Sequence, residues 1–309
     1  MRPQRLILPL AVVLFNYVAL KLIKCHDRSY AHPKIVKHDK PKQKHHKVEH
    51  ESPDEEVHKE DSIPSPIKKT LGRHKLAIIV PFRDRFDELM EFAPAMHSFL
   101  NEANVPHEII VVNQVDSYRF NRASLINAGF LYTLDTEIDY IAMHDVDLIP
   151  QTHQIKYEYP KDGPVHIASP DLHPKYHYPN YVGGILMLSH TDFKKVNGMS
   201  NNFWGWGRED DELFLRMRDA GLELHRPKGV TTGYETFKHV HDKVKRPRDY
   251  KRIGDQKKQQ FKRDLKGGFH TLKHKVARID DLNINSTPVK ILHVELECNK
   301  EETPWCENQ

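Results

Sequence analysis

The sequence contains no G-x-G-x-x-G and no G-x-x-x-x-G-K-[S/T], which argues against a dinucleotide-binding domain and a P-loop phosphotransferase. Hydrophobic residues make up only 38% of its 309 positions, too few for the whole length to pack as one body. A formal net charge of +4 gives no reason to expect nucleic acid as a partner. Cysteine is scarce: Cys25 abuts an apolar run, and Cys298 and Cys306 stand close together near the C-terminus. In an oxidising compartment the late pair can close a small loop, whereas in cytosol it would be two free thiols.

The unpacked part is at the N-terminus. Residues 6–23, LILPLAVVLFNYVALKLI, form an apolar run near the lower length limit for a membrane span. No small-x-small cleavage site follows it, so the expectation is a retained signal anchor over residues 6–24 behind a short tail of residues 1–5. Arg2 and Arg5 precede the run while Lys24, Arg28 and Lys34 follow it, so charge alone decides little about orientation. Residues 25–70 are dense in Lys, His, Glu and Pro without apolar periodicity, the pattern of a disordered stem. Nothing around the stem histidines could fix a coordination geometry. Asn285-Ser286-Thr287 is an N-glycosylation sequon, followed directly by Pro288. Anchor, late cysteines and sequon together point to the secretory pathway.

Order is expected over residues 71–309. KLAIIVPF, HEIIVVNQ and DYIAMHDVD read as buried strands. DRFDELMEFAPAMHSFLNEA, with Pro94 inside it, and NRASLINAGFLYTLDT read as the helices between them. Strand–helix–strand–helix–strand at this spacing predicts an α/β domain with parallel pairing and right-handed crossovers. Ligands of such sheets gather at the carboxyl ends of the strands. Pro81-Phe82-Arg83, Asn113-Gln114 and Asp145-Val146-Asp147 all fall there. The basic stretch 246–280 reads as a solvated helix.

The polar residues at those ends have a chemistry. Asp145 and Asp147 leave an extended chain on the same side, which is costly unless a cation is bound. His239 and His241 of KHVHD repeat that spacing. Two imidazoles with one or two carboxylates suit Mn²⁺ or Zn²⁺ better than an all-oxygen Mg²⁺ site. Arg83, Arg85 and Arg122, near a helix start, suit a phosphorylated ligand. In WGWGREDDE, the acids Glu209 to Glu212 enter a helix whose dipole favours them. The dipole does not account for Trp204-Gly205-Trp206-Gly207. Glycine permits large backbone changes and tryptophan offers a broad face to a ring-shaped ligand. An aromatic gate beside carboxylates is what a sugar site needs: stacking, hydroxyl contacts and a proton acceptor.

The ordered set PFRDR, FNRA, DVD, YVGGIL, WGWGREDDE and HVH, over about residues 75–245, resembles the β-1,4-galactosyltransferase family. FWGWGREDDE with HVH resembles in particular the branch that galactosylates the xylose of the proteoglycan linkage region. Other branches more often carry glycine where Arg208 stands, aspartate where Glu212 stands, and methionine in place of one metal histidine. The resemblance implies a GT-A fold, an inverting mechanism, UDP-galactose with Mn²⁺, xylosylated core proteins as acceptors, and a single-pass type II protein of the Golgi membrane with a lumenal catalytic domain. It implies a donor pocket of Pro81, Arg83, Arg85, Phe120, Arg122, Asp145, Tyr181 and Trp206. It implies Asp147, His239 and His241 as metal ligands, Trp206 as a swinging gate, and Gly207, Glu209, Asp210 and Asp211 around the sugars with Asp210 the base. A Cys298–Cys306 disulfide agrees with the single late pair of that branch, and Asn285 is the candidate glycosylation site. The rival expectations are transfer to N-acetylglucosamine or another acceptor by a galactosyl- or N-acetylgalactosaminyltransferase, and a membrane-tethered lectin.

Overall fold

The strand Leu76–Phe82 (β1) is buried at every position and is the axis of the domain. Its side chains alternate between two apolar clusters: Leu76, Ile78, Val80 and Phe82 face one, Ala77 and Ile79 the other, as the period of two along a strand requires. The molecule is seen in a computed structural model that describes residues 74–252, 254–255 and 263–308. The expected tail, anchor and stem lie outside the described residues. Among the described residues no helix is long and apolar enough to cross a membrane.

β1 is followed by helix α1 (Phe86–Glu102), strand β2 (His107–Gln114), helix α2 (Arg122–Thr133) and strand β3 (Tyr140–His144). β1 pairs in parallel with both β2 and β3, the arrangement the sequence predicts. Pro94 lies inside α1. A proline there costs about 3 kcal/mol, but Leu89, Phe92, Met96, Phe99 and Leu100 of the same helix are buried at about 1.5–3 kcal/mol each, so packing prevails. α2 starts at Asn121, whose side chain accepts a hydrogen bond from the Ser124 amide, a regular N-cap.

The rest of the sheet departs from simple alternation. Short strands β4 (Leu148–Pro150) and β5 (Val165–His166) precede β6 (Ile185–Ser189), which leads into helix α3 (His190–Lys195). Helix α4 (Glu209–Asp219), strand β7 (Phe237–His239) and the hairpin of β8 (His274–Ile284) and β9 (Thr287–Leu296) complete the order. The main sheet runs β5-β6-β3-β1-β2-β9-β8, with β9 parallel to β2 and β6 antiparallel to β3. β4 and β7 form a separate antiparallel ribbon.

Two expectations change here. The helix expected over 246–280 is not seen at residues 246–252 or 263–273, which form turns and a short 3-10 segment, and His274–Ile284 is strand β8; its charges point outward from an edge strand, where they block edge-to-edge pairing. Asp145 to Asp147 do not continue the strand, which stops at His144. The chain turns there, and the two carboxylates take different partners.

Candidate active site

The carboxyl ends of β1, β2 and β3 bring the first polar groups together. Arg122, at the first position of α2, donates from Nε to Asp145 Oδ1 at 2.8 Å, and its Nη1 lies 3.6 Å from Glu209 Oε1. One guanidinium thus bridges the turn after β3 and the start of α4. Desolvation acts against its charge, but Asp145, Glu209 and Asp210 push its pKa above the usual arginine value. Asp145 is held in place by its own amide, which donates to the Gly184 carbonyl at 2.9 Å. Burial raises its pKa, with Arg122 opposing.

The β4–β7 ribbon builds a second corner. Leu148 is paired with His239, and the Val240 amide donates to the Asp147 carbonyl at 2.9 Å. This register sets His239 Nε2 and His241 Nδ1 at 3.6 and 3.4 Å from one oxygen, Asp147 Oδ2. Burial tends to raise the Asp147 pKa, but the two imidazoles hold it well below the usual carboxylate range. Among the described residues no group of three His, Cys, Asp or Glu side chains is spaced to hold a metal ion as it stands; this trio shares only the one carboxylate oxygen. Ligands about 2.0–2.2 Å from a metal stand apart by distances of this order. His241 Nε2 is buried without a hydrogen-bond partner. Two imidazole nitrogens suit zinc and a carboxylate that stays ionised suits manganese, so the donor set is compatible with either divalent ion.

The acid run forms the third corner. Glu209, Asp210, Asp211 and Glu212 occupy the first turn of α4, where the dipole favours them. Their partners differ. Glu212 is buried and bound by Arg216 Nε at 2.7 Å, so it serves the fold. Asp211 Oδ1 accepts from the Tyr178 hydroxyl at 3.0 Å. Asp210 presses against Gly183: a Cβ there would come 2.4 Å from Asp210 Oδ2. Asp210 keeps some access to solvent, yet desolvation first, and then its neighbours Glu209 and Asp211, push its pKa up to about 8. Tyr181 is buried behind it and packs on His166, His173, Tyr176 and Tyr178.

The tryptophans divide their work. Trp204 is buried against Tyr118. Trp206 is 36% exposed, with the Arg248 guanidinium 4.5 Å from its ring centroid and Tyr250 edge-on at 5.1 Å. Gly205 has φ +88°, and a Cβ on it would meet Arg119 Nη2 at 1.9 Å. Close approach to an arginine, as well as backbone freedom, therefore requires this glycine.

Other expected residues sit apart from these corners. Arg83 donates to the carbonyls of Gln114, Tyr118 and Asp116 at 3.3, 2.6 and 3.0 Å, which fixes the loop after β2, and its guanidinium lies 6.0 Å from the Phe120 ring centroid. Arg85 lies 3.4 Å from Glu88, and Pro81 is buried within β1. Asn285 and Ser286 both have positive φ and join β8 to β9; a two-residue hairpin turn demands this conformation. Cys298 and Cys306 are joined in a disulfide. Sequence reasoning missed Arg119, Tyr178, Arg248 and the buried His173. The density of His and Tyr in HPKYHYPNY, residues 173–181, is the signal that could have found Tyr178 and His173.

This sheet, with its helices and its polar strand ends, is the catalytic domain of a GT-A glycosyltransferase. The catalytic domain of Drosophila beta1,4galactosyltransferase 7, solved with xylobiose, superposes with a TM-score of 0.75 at 52% identity, covering 76% of this chain and 100% of that one. A mutant of the Drosophila enzyme, solved with manganese, UDP-Gal and xylobiose, matches to the same extent. A family model described as the N-terminal region of glycosyl transferase group 7 matches residues 27–160, and one described as the N-terminal domain of galactosyltransferase matches 163–240. Beta-1,4-galactosyltransferase 7 of Mus musculus is 55% identical over 235 residues, 76% of this chain and 72% of that protein. Xylosylprotein 4-beta-galactosyltransferase of Caenorhabditis elegans is 45% identical over 250 residues, 79% and 86% of the two chains. The chain belongs to the β-1,4-galactosyltransferase family.

Proposed function

We propose that this protein transfers galactose, with inversion, from UDP-galactose to the 4-hydroxyl of β-linked xylose on proteoglycan core proteins, a step in building the glycosaminoglycan linkage region. The observation that carries the proposal is the likeness, over three quarters of the chain, to a structure solved with manganese, UDP-Gal and xylobiose. A xylosylprotein 4-beta-galactosyltransferase among the relatives supports the same acceptor.

The three corners suit the reaction. Asp147, His239 and His241 would hold the manganese ion. When bound, the ion neutralises charge developing on the departing diphosphate. Inversion needs attack from the face opposite the leaving group, so the proton acceptor belongs away from the metal ligands. Asp210 lies on a different element, α4. A carboxylate whose pKa is raised to about 8 is a stronger base than an ordinary one once ionised, and it sits near the operating pH. Asp211, oriented by Tyr178, and Glu209, oriented by Arg122, would bind sugar hydroxyls. Arg122 opposes the rise in pKa that burial imposes on both Glu209 and Asp145. Trp206 would cover the bound nucleotide sugar, with Tyr181 and Phe120 walling the donor side.

Residues 6–24 would anchor the protein in the Golgi membrane and 25–70 would space the lumenal domain from it. Purified protein incubated with UDP-galactose and manganese is expected to galactosylate a β-xyloside and to leave N-acetylglucosamine nearly untouched. No product on the xyloside, or preference for N-acetylglucosamine, overturns the acceptor assignment.

A further inference from the structure

Arg119 is among the largest fully buried side chains of the domain, and neither the metal corner nor the acid run uses it. Its guanidinium grips two distant segments. Nε donates to Asp249 Oδ2 at 2.7 Å, and Nη1 donates to the Trp305 carbonyl at 2.9 Å. Its own amide donates to the Cys306 carbonyl at 2.8 Å. Trp305 and Cys306 belong to the loop that the Cys298–Cys306 disulfide closes. Asp249 in turn accepts the Trp206 amide on its carbonyl at 3.1 Å. Its neighbours Arg248 and Tyr250 flank the Trp206 ring. The absence of a Cβ at Gly205 lets the tryptophan loop settle directly on the guanidinium. Trp305 Nε1 also donates to the Asn202 carbonyl at 2.8 Å, just before that loop. A continuous set of contacts thus runs from the disulfide through Arg119 and Asp249 to Trp206.

We propose that Arg119 is a positioning residue: it sets the Trp206 loop and the 248–250 segment in one arrangement by fastening both to the disulfide-closed loop 298–306. Buried charge explains why arginine is used. A guanidinium can satisfy two backbone carbonyls and a carboxylate at once in a fixed plane, and a lysine ammonium cannot reproduce that fork. Losing the anchor weakens the hold on the nucleotide sugar while the groups that perform transfer remain. The proposal rests on the reading of Trp206 as the cover of the donor.

The test uses the full-length protein with Arg119→Gln, Arg119→Lys and the double variant Cys298→Ser/Cys306→Ser. Two quantities are read: KM and kcat with UDP-galactose varied, and the rate of tryptic cleavage at Lys243, Lys245 and Lys251. For Arg119→Gln the expected result is a KM raised about tenfold with a smaller change in kcat, the pattern of lost binding rather than lost chemistry. Cleavage should be faster in the same variant and slowed again by UDP-galactose. Arg119→Lys should fall between it and the wild type, and the double cysteine variant should shift both quantities in the same direction. If Arg119→Gln does not fold, the cysteine variant, which leaves Arg119 intact, decides alone. Wild-type KM and wild-type cleavage in a folded variant overturn the proposal, as does a loss confined to kcat. A wild-type protein that transfers no galactose removes the functional reading, but the cleavage comparison still decides whether Arg119 docks the segment.

Discussion

The metal corner and the acid run hold carboxylates under opposite constraints. Asp147 faces two imidazoles and is held well below the usual carboxylate range. Asp210 is desolvated beside Glu209 and Asp211, and its pKa is pushed up to about 8. The same side-chain type is thereby suited to the two tasks proposed for it. A carboxylate that stays ionised can hold a cation, and one with a raised pKa can exchange a proton near neutral pH. Arg122 stands between the two corners, bound to Asp145 on one side and near Glu209 on the other. Its positive charge offsets part of the repulsion that Asp145 exerts on Glu209.

The sharpest break in this contrast is Asp210→Asn, which preserves shape and removes the base. Transfer to a β-xyloside should fall by about 10³-fold, within the usual reach of general-base catalysis, while UDP-dependent manganese binding is kept; turnover near wild type would remove Asp210 as the base. Asp147→Asn should act at the other corner. The manganese concentration for half-maximal activity should rise by about 10²-fold, since even partners outside the coordination shell alter metal affinity by about 10–100-fold. An unchanged manganese requirement would move the ligand set elsewhere. A gentler probe is pH. Asp210 must be ionised to accept a proton, so kcat/KM should drop about tenfold per pH unit below its pKa. The rising limb should lie well above the ordinary value near 4, and a flat profile between pH 5 and 8 would contradict it.

The smallest effect is on stability. The unfolded chain releases the Asp210 proton near the ordinary value of about 3.9, while the folded chain keeps it up to about 8. Between those values the folded state binds the extra proton, so this residue makes stability fall as pH rises. Asp210→Asn should therefore raise the Tm of the unliganded protein at pH 8, by about 2–4 °C for each kcal/mol of that penalty, with the gap closing toward pH 4. A gap that does not narrow on acidification would mean that the carboxylate is not desolvated as described.

What the sequence disclosed divides along similar lines. β1, β2 and β3, with α1 and α2 between them, follow from continuous apolar runs and helical periodicity, and their parallel pairing follows from alternation. Asp147, His239 and His241 are visible as D-x-D and H-x-H, yet not their geometry. That depends on a ribbon of two short strands distant in sequence, and β4 and β7 are too short to leave a periodic signal. Same-side spacing suggested that Asp145 and Asp147 share a ligand; the strand ends at His144, and the turn sends one to Arg122 and the other to the imidazoles. In the acid run, local charge marks the place, and the resemblance already sets Glu212 apart from Glu209, Asp210 and Asp211; the fold adds the reason, the buried pairing of Glu212 with Arg216. Arg119 was illegible because a lone arginine in a loop carries no pattern. Its importance comes from Asp249 and Trp305, which the fold alone brings near it.

The β4–β7 ribbon has only three residue pairs and stands outside the seven-stranded sheet. A unit that small opens at much lower cost than a central sheet buried on both faces. The corner carrying Asp147 and His239 can therefore breathe while β1 to β3 stay protected from amide hydrogen exchange. A cation held there, as proposed, could enter or leave a finished domain by that local opening, so replacing it would not require the protein to be made again.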